Sequence, residues 1–175
     1  MLADVIRAET AKLLRNRATA FWAFGFVSVL SLILNLVAYF YTRGELPPGV
    51  ERPVDLAQMT LSGVSQAAGP LTLLFCLMGA ATIFAGEYRW ETWRLMTPRA
   101  TRTQLWLGKV VVFAAAVAVS ILLLGLASLI TGVVQLAMGD AAAPARGELG
   151  EYLWRLSSSS LMSWIRILQF GALAA

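Results

Sequence analysis

The chain has 175 residues, 58% hydrophobic and 14% charged, with mean hydropathy +0.70 and net charge +4. Soluble domains carry about 25% charged residues, so this composition places the chain in a membrane. With no histidine and a single cysteine, Cys76, histidine bases, histidine metal ligands, most nucleophilic triads and an internal disulfide are excluded, and so small a positive charge is explained by membrane flanks without nucleic acid.

The first element, over residues 2–16, reads as an amphipathic helix. Leu2, Val5, Ile6, Glu9 and Leu13 recur at helical spacing, with Asp4, Arg7, Lys12 and Arg15 mostly elsewhere on its surface. Such a helix lies in the membrane interface before the chain turns into the bilayer; a plain basic flank that orients the first span is the simpler alternative. Residues 20–41 follow as the first span. The run is too long for a signal-peptide core, lacks charge, and ends in the interfacial cluster Tyr39-Phe40-Tyr41. Asn35 inside it is expected to face neighbouring helices and to act in packing rather than on a substrate.

Residues 42–66 read as a polar outside loop, broken by Gly44, Pro47, Pro48, Gly49 and Pro53, with a short helix over 55–62. The second span is expected over 67–85, with Pro70 near its start. The third covers 110–138, where Gly125, Ser128 and Gly132 would admit a close neighbour. Residues 139–160 form a second outside segment containing a short amphipathic helix over 147–156, with Trp154 and Trp164 suited to the membrane interface. Residues 161–175 begin a fourth apolar run that stops short of the about 20 residues a span needs, so the natural chain is expected to continue.

Between the second and third runs lies a dense charged and aromatic island. Five basic residues fall between Arg89 and Lys109, against the acids Glu87 and Glu91. Segments 1–19 and 86–109 together hold nine basic and four acidic residues, and the remainder five basic and six acidic. Lys and Arg near spans are retained inside, so both segments are expected to be cytoplasmic in a multi-pass protein of the plasma or inner membrane. Residues 86–96 suit about three helical turns. Glu87 and Glu91, Arg89 and Trp93, and Trp90 and Arg94 each lie one turn apart, and Thr97-Pro98 closes the helix. Trp and Arg anchor protein interfaces; a helix on the lipid surface is the alternative.

Glu87-Tyr88, Thr92, Arg94-Leu95-Met96, Pro98, Arg102 and Gly108-Lys109, together with Glu9, Lys12, Arg15, Arg17 and Phe21-Trp22 near the start, resemble the ABC-2 type permeases. These are the membrane subunits of ATP-binding-cassette exporters. Glu91 departs from the family pattern, which has a small residue before the Thr, and the chain supplies fewer spans than the family normally has, so it resembles the N-terminal part. The resemblance implies an all-α polytopic transmembrane helix bundle, one domain over 1–175, with an N-terminal interface helix marked by Glu9, Lys12 and Arg15. It further implies a short cytoplasmic coupling helix that presents Glu87, Tyr88, Trp90, Thr92, Trp93 and Arg94 to an ATPase.

The implied partners are cytosolic ABC ATPase subunits and a second permease copy or homologue, within the lipid bilayer. No catalytic, cofactor or metal residues are expected, since ATP hydrolysis would belong to the partner. Gly108-Lys109 runs into Val110 and so is no phosphate-binding loop. Two other readings stand beside transport: a non-transporting anchor or sensor subunit, and an intramembrane enzyme. The enzyme is disfavoured because no acid lies inside a span and Cys76 has no base nearby in sequence. The few polar groups of the spans, among them Ser31, Asn35, Ser128, Thr131 and Gln135, suit an amphiphilic cargo and equally suit ordinary packing.

Overall fold

Apolar residues at helical spacing decide the architecture. A computed structural model describes residues 2–43, 52–53, 55–89, 101–138, 141–142 and 149–172. Its helices are α1 (Leu2–Arg15), α2 (Arg17–Ala20), a π-helical turn (Phe21–Gly25), α3 (Phe26–Arg43), α4 (Leu56–Gln66), α5 (Pro70–Arg89), α6 (Arg102–Ala137) and α7 (Leu149–Ala172). Among the described residues the one extended feature is a two-residue parallel pairing of Arg52–Pro53 with Ala141–Ala142. The all-helical class expected from the sequence is therefore present. Two helical stretches, Arg17–Thr42 and Thr103–Ala137, are long and apolar enough to cross a membrane. A third is added if Leu56–Gln66 and Pro70–Ala85, bent by 50°, count as one span.

The contacts fix the direction of each helix. Phe24, ahead of α3, stacks at 6.1 Å on Phe113 near the start of α6. Leu56, at the start of α4, lies against Gly132 near the end of α6, whereas Ile83 of α5 meets Lys109 near its beginning. Some 34 Å of helix separates Lys109 from Gly132, about the 30 Å of a hydrocarbon core. The bent pair α4–α5 thus runs antiparallel to α6 over a bilayer's thickness. On α7, Ser163 bonds to Val64, and Gly171 lies under the Phe113 ring.

The core follows the helical repeat. Cys76, Ala80 and Phe84 of α5 face Phe113, Val117, Ile121 and Leu124 of α6, with Phe24 and Ile167 closing the cluster. Cys76 is a buried free thiol within it.

Three expectations are corrected. The short helix expected over 55–62 of an outside loop is α4, which extends to Gln66 and packs against α6. Asp55 caps the helix, accepting from the amides of Ala57 and Gln58 at 2.9 and 3.2 Å. A Cβ at Gly63 would collide with Ser128 and come within 2.8 Å of the Leu124 carbonyl. The small residues Gly125, Ser128 and Gly132 do admit a close neighbour, and that neighbour is α4. At the break, Ala67, Ala68 and Gly69 bond three residues back. The carbonyls of Gln66 and Val64, which take two of these bonds, accept in addition from Thr72 at 3.2 Å and Ser163 at 3.3 Å.

The second correction concerns α6, which begins at Arg102, two turns ahead of the expected 110. Thr101 and Gln104 form a reciprocal capping box, a stronger start signal than the change in hydropathy. The third concerns α7. The short helix at 147–156 and the fourth run from 161 are one continuous helix, Leu149–Ala172. Ser157 and Ser158 bond back to Trp154 and Arg155 at 3.0 Å, so the serine run stays helical. Trp164 donates to the Ala114 carbonyl of α6 at 3.0 Å.

Candidate functional site

Two places gather polar groups out of an otherwise apolar structure. The first is where α1 meets the ends of α5 and α6. Glu9 stands on the apolar face of α1 and is only 6% exposed. A carboxylate so placed needs a cation. Lys12, one turn on, supplies one at 2.7 Å. Lys109 of α6, itself 6% exposed, supplies a second at 3.6 Å. The Lys109 ammonium also donates to the Ile83 carbonyl of α5 at 2.8 Å. Directly beneath, Val5 packs so close to Gly108 that a Cβ there would come within 2.6 Å of Cγ1. One buried ionic cluster therefore ties three helices together, and the bare backbone of Gly108 lets them approach.

Of the residues singled out from the sequence, Glu9 and Lys12 enter this cluster. Arg15 stays exposed on α1, outside it. Lys109, which completes the cluster, was quoted in the family pattern but not placed in the site. Two signals pointed to it: an acid at an apolar repeat position, and a lone lysine entering a long apolar run. Gly86–Arg89, expected to open a separate coupling helix, continues α5 to its end. Trp90, Thr92, Trp93 and Arg94 lie outside the described residues, as do the side chains of Glu87 and Tyr88.

The second place is a cavity of about 320 Å³ between α3, α4 and α6. Asn35, Tyr39, Gln66, Ser128, Thr131 and Gln135 give it its polar lining. Asn35 does not pair directly across helices, as was expected. Its amide nitrogen donates to the Ser31 carbonyl at 2.8 Å and hydroxyl at 3.1 Å, and Ser31 passes a hydrogen bond to Gln66 Oε1 at 3.2 Å. The polar side chains of the first and third runs were legible in the sequence. Gln66 was missed because its segment read as an outside loop.

Among the described residues, no carboxylate, guanidinium or ammonium lines the cavity. Among the described residues, no group of three or more acidic or cysteine side chains is placed to hold a metal. No protein-family model, curated protein or solved structure matches the chain.

Proposed function

We propose that the chain is a membrane-spanning permease subunit of an ATP-binding-cassette exporter, resembling the ABC-2 type. It would form a translocation path with a second copy or homologue and take its energy from separate cytosolic ATPase subunits. In this reading the chain is multi-pass in the plasma or inner membrane, and α1 lies at the cytoplasmic interface. The excess of basic residues in segments 1–19 and 86–109 supports that orientation.

The observation that carries the proposal is the Glu9–Lys109–Ile83 cluster. It latches α1 to the two helices that flank the charged island, at 3.6 and 2.8 Å. A partner pressing on that island would move α1, α5 and α6 as one body, which is what coupling to an ATPase requires. A passive anchor has no need of such a rigid connection.

The test is detergent pull-down of the full-length protein with cytosolic ABC ATPase subunits from the same cells, together with substrate-stimulated ATP hydrolysis. Glu87→Lys with Trp93→Ala is expected to abolish both while leaving insertion intact. Loss of a desolvated, paired interface charge costs about 2–5 kcal/mol, whereas a lipid-surface helix tolerates the exchange. Normal association and turnover in this double variant would return the island to a lipid-surface connector and remove the main support for transport.

A further inference from the structure

We propose that the cavity between α3, α4 and α6 binds the neutral, hydroxyl-rich head group of an amphiphile that enters from the bilayer. The inference rests on the membrane placement proposed above and is independent of the ATPase partner.

The charge of the ligand follows from the lining. Among the described residues, amides, hydroxyls, a phenol and a thioether surround the space, and no ionised group does. A charged head group would be desolvated there without a counter-charge, and that is strongly unfavourable.

The hydrogen-bonding character follows from what the lining leaves unused. Asn35 donates to Ser31 and Gln66 accepts from Ser31, but Asn35 Oδ1 and Gln66 Nε2 have no partner among the described residues. The same is true of the Ser128 hydroxyl and of the Gln135 amide. Both donors and acceptors are thus on offer to a ligand. Adjacent hydroxyls, each able to donate and accept, match such a set better than a group that only donates or only accepts.

Size and access complete the case. At about 320 Å³ the space is at the small end of ligand pockets, enough for one head group but not for acyl chains. Ser62 and Gln66 are exposed on α4, on one side of the space. Ser128, Thr131 and Gln135 stand at the far end of α6 from Lys109, and Tyr39 and Thr42 at the end of α3, so in the proposed placement the cavity lies at head-group depth. Beside it, Leu34 and Tyr41 of α3 are 58% and 74% exposed, an apolar surface along which chains can lie.

The experiment uses the full chain in phosphatidylcholine nanodiscs doped equally with a neutral glycosyl diacylglycerol and with phosphatidylglycerol of the same acyl chains. Lipid retained after gentle detergent extraction is counted by mass spectrometry. The glycolipid is expected to be enriched over phosphatidylglycerol, and Asn35→Leu with Gln135→Leu should cut that enrichment about tenfold, the scale of one to two lost hydrogen bonds. Should that variant fail to give monodisperse protein, Gln66→Leu on the exposed side of α4 is expected to lower the enrichment as well, and Gln58→Leu, outside the cavity, to leave it unchanged. Equal retention of the two lipids, or unaltered enrichment in the cavity variants, would overturn the site. Full displacement by equimolar methyl glucoside would overturn the amphiphile, since a soluble polyol would then suffice. Failure of ATPase association in the Glu87→Lys variant would not alter any of these outcomes.

Discussion

At the scale of the residue, Glu9 and Lys109 explain most about how α1 is held against the ends of α5 and α6. Each is 6% exposed, so each charge depends on the other and on the polar groups around them. Taking away one partner of a buried pair is far worse than replacing both with apolar side chains of similar size. Glu9→Leu and Lys109→Met are each expected to destabilise the folded protein by about 3 kcal/mol. Combining the two should recover most of that loss. Thermal unfolding of the four proteins in detergent, read as a double-mutant cycle, checks this. If the two single substitutions simply add in the double variant, the pair is not coupled.

At the scale of the element, two glycines decide how close helices come. Gly63 lets α4 sit on α6, where any side chain would meet the Leu124 carbonyl at 2.8 Å. A backbone atom does not yield, so Gly63→Val is expected to cost about 1–3 kcal/mol, the range for overpacking, and to reduce the yield of monodisperse protein. Ser128→Ala should rescue little, because it leaves the carbonyl in place. Gly108 does the same for α1, with Val5 above it. Gly108→Leu should lift α1 while sparing the rest of the fold. Hydrogen exchange would show faster amide exchange confined to Leu2–Arg15. Uniform loss of protection across α5 and α6 would contradict this placement.

At the scale of the whole molecule, both connecting ends have a consistent address. Arg52–Pro53 pairs with Ala141–Ala142 at one end, and α1, Ile83 and Lys109 meet at the other. If the positive-inside rule sets the orientation, these ends face opposite sides of the membrane. Single cysteines at Arg15 and Glu151, both exposed, in a Cys76→Ala background give the check. An impermeant thiol reagent applied to intact cells is expected to label position 151 and to spare position 15; the reverse pattern would invert the proposed topology.

The sequence by itself determined the helical class, the long apolar runs at 20–41 and 110–138, and the unusual acid on the inner face of α1. Each of these is a local signal: hydropathy over a window, or a charge out of step with a helical repeat. It did not determine the fate of residues 56–66. Their polar flanks and prolines read as an outside loop with a short helix over 55–62, whereas the match of Gly63 with Ser128 and the capture of the Val64 carbonyl by Ser163, 99 residues away, decided for a longer helix packed on α6. Nor did it determine that Lys109 completes the Glu9 cluster, or that Asn35, Gln66 and Gln135 share one cavity. These depend on which helix lies beside which. Side chains far apart in the chain become neighbours only once packing has fixed the heights and faces of the helices, so only the tertiary structure decided them.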